Sequence, residues 1–202
     1  PAQGRHWDEL ASLQSNAEAE GAALEGLAKV LEKEPVRRLL ASIFAGSPYV
    51  RMLILRDLNR LQDLLCEPPA ASMARLQKQA ETELDAAPGM TAAMRGVRVF
   101  KSASALLIAL CDLGGVWPVM TVTDALTKTA DTALQACVRF LFKQALERGD
   151  WTGTDRVKPD ASSGYIVLGM GKYGAFELNY SSDIDLIIFF EATRARVREN
   201  LD

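Results

Sequence analysis

Gly169-Met170-Gly171-Lys172-Tyr173-Gly174-Ala175-Phe176-Glu177-Leu178-Asn179-Tyr180-Ser181-Ser182-Asp183-Ile184-Asp185-Leu186 is the stretch whose reading decides the fold. Just before it, Tyr165–Leu168 is β-branched, apolar and bounded by glycines, which predicts a short strand. Ile184–Phe190 predicts a second strand, apolar on both faces and therefore central in its sheet. Between them, Gly169–Asn179 reads as a glycine-rich turn with a short helical piece. On a strand, Asp183 and Asp185 leave the same face, and Ile184 turns the other way into the core.

Upstream the character is different. Residues up to about Asp150 read as helix, with Leu24, Leu27, Ala28 and Leu31 at helical spacing and Pro35 opening a helix over Val36–Ala45. Ser47 and Asp57 stand where N-caps belong, and Pro68-Pro69 closes the segment after Leu65. Further helices are predicted over Ser72–Ala86, over Thr91–Leu113 up to Gly114-Gly115, and from a Thr121 or Thr123 cap to about Arg148. The last has an apolar face of Ala130, Leu134, Cys137, Val138, Leu141 and Leu146. After Gly149 the composition becomes that of a loop, and the tail Arg194–Glu199 is charged and helix-compatible. The expected organisation is a helical region over 1–150, then the start of a mixed core over 151–202. The class is α+β, mostly helical.

Hydrophobic residues at 49% and charged residues at 24% are ordinary for a globular chain. A formal charge of −3 argues against a nucleic-acid binder held by bulk electrostatics. The basic run Arg95–Lys101 reads as a solvated helix face. Ala103–Cys111 is far short of the roughly 20 apolar residues that cross a bilayer, so it predicts a core helix and no membrane partner. His6 is the one histidine, and Cys66, Cys111 and Cys137 form no CxxC pair, so a Cys/His zinc site is not expected. All three cysteines are expected as buried, reduced thiols, which favours a cytoplasmic protein. No signal peptide is read at Pro1–Asp8.

The acidic pair carries the chemistry. Like charges about 6 Å apart repel by about 3 kcal/mol at an effective dielectric near 20, so water or a cation must answer them. Paired hard carboxylate oxygens suit Mg²⁺ or Mn²⁺, which keep positions open for phosphate oxygens. Gly169, Gly171 and Gly174 either let backbone N–H groups approach an anion or simply form a tight turn. Lys172 is either a point charge for a phosphate or a surface lysine. Ser181 and Ser182 can donate to phosphate or cap the start of the strand. The turn is read as neither a Walker loop nor a dinucleotide fingerprint.

A glycine turn followed about a dozen residues later by Ser182-Asp183-Ile184-Asp185 resembles the polymerase-β-like nucleotidyltransferase superfamily. The longer string Leu168–Leu186 resembles, more narrowly, the bifunctional glutamine synthetase adenylyltransferase/adenylyl-removing enzymes. Glu177–Ser182 is similar to their N-terminal, adenylyl-removing copy, and Ser47–Asp57 and Ala105–Gly115 resemble helical segments that precede it. The resemblance implies a helical bundle leading into the first strands of a nucleotidyltransferase sheet. It assigns Asp183 and Asp185 as catalytic metal ligands, and a third carboxylate on a later strand. Gly169, Gly171, Lys172, Ser181 and Ser182 would lie against phosphate groups. The implied reaction is phosphorolysis of adenylylated glutamine synthetase, consuming phosphate and releasing ADP. The alternatives are AMP transfer from ATP to the synthetase, or a non-catalytic domain that binds a PII-type signal protein. On this reading the chain is part of a longer enzyme and inactive alone.

Overall fold

The computed structural model describes residues 2–152, 155, 158 and 160–191. The tail Arg194–Glu199, with Gly153 and Pro159 of the preceding loop, lies outside the described residues. These residues form nine α-helices, two 3₁₀ turns and one two-stranded antiparallel sheet, the mostly helical α+β class expected. The helices are α1 Ala2–Ala19, α2 Glu25–Leu31, α3 Glu34–Gly46, α4 Pro48–Arg56, α5 Leu58–Cys66, α6 Pro69–Asp85, α7 Met90–Leu113, α8 Val119–Arg148 and α9 Gly171–Gly174. The strands are β1 Tyr165–Gly169 and β2 Leu186–Phe190.

Local chemistry accounts for most boundaries. Ser47 caps α4 by accepting from the Val50 N–H at 3.3 Å, and Asp57 caps α5 by accepting from the Arg60 N–H at 2.9 Å. Gly114-Gly115 ends α7, with the Val116 N–H reaching back to the Cys111 carbonyl at 2.8 Å. Two starts differ from expectation, both because of proline. Helix α6 opens at Pro69 rather than Ser72, since proline suits a first turn whose N–H groups are unpaired anyway. Thr121 and Thr123 are not caps: α8 begins at Val119, and the Pro118 carbonyl accepts from the Thr121 and Val122 N–H groups at 2.9 and 3.1 Å. Pro118 disfavours helical geometry at Trp117, so the break falls there.

The chain packs as two compact units, Pro1–Leu76 with Ser102–Val122, and Gln77–Lys101 with Thr123–Asp202. In the first, α1 packs on α2 and α3, and α2 on α5, around buried Leu10, Leu13, Leu27, Leu31, Ile54 and Leu61. Each such leucine, fully buried, contributes about 1.5–3 kcal/mol. Gln62 of α5 accepts from the Leu27 N–H at 2.9 Å and donates to the Ala23 carbonyl at 3.1 Å, so it satisfies an otherwise unpaired first-turn donor of α2. Cys66 ends α5 exposed, contrary to the expectation of three buried thiols; Cys111 is buried and Cys137 half-buried. Burial holds the Cys111 thiol up at about 11, and it also raises that of Cys137.

In the second unit, the later part of α8 carries the sheet. Phe142 makes edge-on contacts with Trp151, at a centroid distance of 5.3 Å, and with Tyr165 at the head of β1, at 5.6 Å. Leu141, expected on the apolar face of this helix, is exposed. Arg98 and Lys101 are exposed, as a solvated helix face requires. No helix among the described residues is long and apolar enough to cross a membrane.

Candidate functional site

Strand β1 pairs antiparallel with β2 from Tyr165 opposite Phe190 to Gly169 opposite Leu186. One further bond lengthens the ladder at each end: the Met170 N–H donates to the Asp185 carbonyl at 2.9 Å, and the Glu191 N–H to the Gly164 carbonyl at 2.8 Å. Asp185 is therefore held opposite Met170, immediately before the glycine turn begins. This backbone bond, rather than any side-chain contact, brings the glycines and the acidic pair together.

The same register sets the face. Along β1, Tyr165, Val167 and Gly169 are half-buried, while Ile166 and Leu168 are exposed. Residues directly opposite one another in a ladder share a face, so Asp185 stands with Met170 and beside the Leu168–Ile187 pair on the open face. Two expectations are corrected. Strand β2 starts at Leu186, two residues later than read, with Asp183 and Ile184 in its irregular approach. Among the described residues β2 has β1 as its one neighbour, so it is not flanked on both sides there, and Ile184 is 39% exposed rather than in the core. Apolar residues on both faces of β2 could not reveal that only β1 would pair with it here; Phe190 is 67% exposed.

Asp183 and Asp185 are both exposed, and neither side chain has a hydrogen bond or ion pair among the described residues. Water screens an exposed pair, so the repulsion drops below about 1 kcal/mol and the fold tolerates both charges without a cation. What fits a hard divalent ion is the donor set: two free carboxylates with open surface around them. Two ligands are a partial shell, and no cluster of three or more acidic, histidine or cysteine side chains forms among the described residues.

Asp183 is delivered by a closed turn. Asn179 Oδ1 accepts from the Ser181 N–H at 3.0 Å, the Asn179 carbonyl from the Ser182 N–H at 3.2 Å, and Ser182 Oγ from the Asn179 N–H at 3.3 Å. Ser182 thus caps the approach to β2 and keeps its own proton to donate, while Ser181 is exposed. Lys172 is exposed on α9.

The glycines have steric reasons for being glycine. A Cβ on Gly169 would meet the Tyr173 ring at 2.7 Å, and one on Gly174 would meet the Gly169 carbonyl oxygen at 2.3 Å. Gly171 has φ +54°, in the left-handed region. Contrary to the sequence reading, Gly169, Gly171 and Gly174 do stand at G-x-G-x-x-G spacing after a strand. Topology excludes the dinucleotide fold instead: α9 is four residues long and β2 returns antiparallel, with no crossover helix to a parallel strand.

Three residues of the site carried no role in the sequence reading. Tyr173 is 5% exposed and its hydroxyl donates to Asp131 Oδ1 of α8 at 2.6 Å. Burial first, then the Asp131 hydrogen bond and charge, push this phenol well above the ordinary tyrosine range. The third is Phe176, at φ 61° the one non-glycine with positive φ among the described residues. It closes α9: its N–H donates to the Tyr173 carbonyl at 3.2 Å, and the Glu177 N–H to the Lys172 carbonyl at 2.8 Å. Buried Leu178 then pins the segment, leaving Phe176 and Tyr180 exposed. A cleft of about 460 Å³ lies between α8 and the inner side of β1, lined by Asp131, Gln135, Val167, Tyr173 and Phe176 among others. The one signal for Asp131 was an acid three residues before Leu134, beside the apolar face of α8.

Among the described residues a helical region leads into a two-stranded antiparallel sheet, with a glycine turn held beside two exposed carboxylates, and comparison with known proteins gives the class. A profile of the family described as glutamate-ammonia ligase adenylyltransferase matches residues 37–202. The chain is 46% identical over 175 residues to the bifunctional glutamine synthetase adenylyltransferase/adenylyl-removing enzyme of Bradyrhizobium sp. strain BTAi1, covering 87% of this chain and 18% of that protein. Its identity to the enzyme of the same description from Rhodopseudomonas palustris strain CGA009 is 49% over 152 residues, 75% of this chain and 15% of the relative. For that of Xanthobacter autotrophicus strain Py2 it is 41% over 190 residues, 93% and 19%. The chain belongs to the glutamate-ammonia ligase adenylyltransferase family. It spans less than a fifth of the length of these relatives. No solved structure matches it significantly.

Proposed function

We propose that this chain supplies the first two metal-binding carboxylates and the phosphate-facing turn of an adenylyl-removing nucleotidyltransferase domain. The substrate would be adenylylated glutamine synthetase, and the products ADP and the unmodified synthetase. The observation that carries the reading is the Met170–Asp185 backbone bond at 2.9 Å, which holds a glycine turn beside two exposed, unpaired carboxylates. The relatives' description names both the adenylyltransferase and the adenylyl-removing activity, and the Glu177–Ser182 string, similar to the adenylyl-removing copy, is what supports the direction. The reaction belongs in the cytoplasm, in keeping with three free thiols.

In this reading an oxygen of inorganic phosphate attacks the adenylyl phosphorus, the bond from phosphorus to the tyrosyl oxygen breaks, and that oxygen takes up a proton. Asp183 and Asp185 would hold Mg²⁺ or Mn²⁺, which when bound neutralises charge on the phosphoryl oxygens. The third ligand belongs to sequence beyond the described residues. The N–H groups of the glycine turn and the Ser182 hydroxyl hold oxygens that do not react, with Lys172 as an added positive charge. The work of the chain is orientation: Tyr173 and Leu178 fix the turn from beneath, and the Asn179–Ser182 turn aims Asp183 outward.

A radiolabel assay on the full-length protein tests the direction, with Mg²⁺ or Mn²⁺ and a chelator control. Phosphate-dependent release of label from adenylylated synthetase as ADP is the expected result. Transfer of label from ATP to the synthetase by this domain, without phosphate-dependent release, would replace this reading with the adenylyltransferase one.

A further inference from the structure

Asp131 lies 42 residues before Tyr173 and outside both the glycine turn and the acidic pair, yet the buried tyrosine of that turn donates its hydroxyl to it. Three contacts in series join it to the acidic pair. Its Oδ1 accepts the Tyr173 hydroxyl at 2.6 Å. The Tyr173 ring lies so close under Gly169 that a Cβ there would meet it at 2.7 Å, and the carbonyl of Gly169 in turn leaves no room for a Cβ on Gly174. Met170, the next residue, donates its N–H to Asp185. The ring is thus clamped at its far end by Asp131 and at its flank by the backbone that pairs with Asp185.

From this geometry we infer that Asp131 is a positioning residue, which holds the phosphate-facing turn in register with Asp183 and Asp185 through the Tyr173 hydroxyl. It touches no reacting group and acts only through Tyr173. A charged acceptor makes the stronger kind of hydrogen bond, and with Tyr173 buried and Asp131 half-buried, water has only partial access to replace it. Without the tie, Tyr173 keeps its packing but loses the constraint on its tip, and the turn samples more positions. The inference rests on the proposed role of the turn in holding phosphate oxygens. It predicts a defect in binding the phosphate-bearing ligand rather than in the chemical step.

The test uses the full-length protein with Asp131→Ala, Asp131→Asn, Tyr173→Phe and the Asp131→Ala/Tyr173→Phe double variant. Steady-state phosphorolysis should give Asp131→Ala a KM for inorganic phosphate raised about tenfold with kcat within about twofold, a size that remote substitutions reach through packed networks. Asn keeps an acceptor oxygen, so Asp131→Asn should recover most of the loss. Tyr173→Phe should match Asp131→Ala, and the double variant should be no worse than either single one, because both remove the same bond. Unchanged KM in Asp131→Ala, or additive losses in the double variant, would overturn the inference. If the protein transfers AMP from ATP instead, the proposed direction fails alone, and the same pattern is read on the KM for ATP. Hydrogen exchange supplies a readout independent of turnover. Amides of Gly171–Glu177 should exchange about tenfold faster in Asp131→Ala, while those of α8 stay unchanged. Equal protection in wild type and variant would show that the bond positions nothing.

Discussion

Gly174 tests whether the glycine turn is shaped by close approach or merely by flexibility. In Gly174→Ala the new Cβ would lie 2.3 Å from the Gly169 carbonyl oxygen and 3.1 Å from its carbon, so that oxygen must retreat by roughly 1 Å. It cannot do so alone. The Gly169 carbonyl and the Met170 N–H belong to one planar peptide unit, so tilting the first draws the second off the Asp185 carbonyl, which it now reaches at 2.9 Å. Overpacking against backbone costs about 1–3 kcal/mol and the weakened hydrogen bond about 1 kcal/mol, for a total of about 2–4 kcal/mol. Two other glycines calibrate the figure. Gly171→Ala meets open space but keeps φ +54°, which costs about 1–2 kcal/mol. Gly46→Ala, at the end of α3 in the other compact unit, has open space and no positive φ, and as a control should leave unfolding of the sheet-bearing unit unchanged. Trp151 is buried and is the one tryptophan in the sheet-bearing unit, so with Trp7 and Trp117 changed to Phe its fluorescence reports urea unfolding of that unit. The expected order of loss is Gly174, then Gly171, then Gly46. If Gly174→Ala stays within about 0.5 kcal/mol of its parent, the close approach is not what that glycine serves.

Asp183→Asn and Asp185→Asn should each abolish metal-dependent deadenylylation in the full-length protein and leave thermal stability equal or slightly higher, because each removes a like-charge neighbour. Near-normal release of ADP by either variant would remove that residue from the site. With a thiol reagent at pH 8, Cys66 should label first, while burial and a thiol held up at about 11 keep Cys111 unreactive until the chain unfolds. Fast labelling at Cys111, located by peptide mass, would contradict its burial. Phe176→Gly relieves a left-handed residue and should raise the stability of the sheet-bearing unit by about 1 kcal/mol, less whatever the half-exposed ring contributes; a loss above about 1 kcal/mol would mean the ring packs more tightly than its 49% exposure implies. The stability supplied by the Tyr173–Asp131 bond has a pH signature. The folded phenol titrates above the ordinary value near 10, so the contribution is complete below that pH and fades as pH rises toward the folded value. Tyr173→Phe should therefore have a flatter alkaline stability profile than the wild type.

Much of this protein is legible from residues close together in the chain. Helices are local structures, so Ser47 and Asp57 could be read as caps and Gly114-Gly115 as a stop before any packing was known. The glycine turn and the acidic pair are local too, and together they carried the family resemblance. Pairing and burial are not local. That β1 and β2 run antiparallel, that Met170 faces Asp185, and that Ile184 is left at the surface all depend on which strands are present to pair. An apolar strand reads the same whether one neighbour or two will cover it. The Tyr173–Asp131 bond joins residues 42 positions apart, and one acid beside a helix's apolar stripe gives no sign of its partner. The sequence by itself determined most of the helices, the caps at Ser47 and Asp57, and the family to which the chain belongs, because each follows from neighbours along the chain. Only the tertiary structure decided the face on which Asp185 stands and the anchor beneath the turn, because those depend on contacts between segments far apart in sequence.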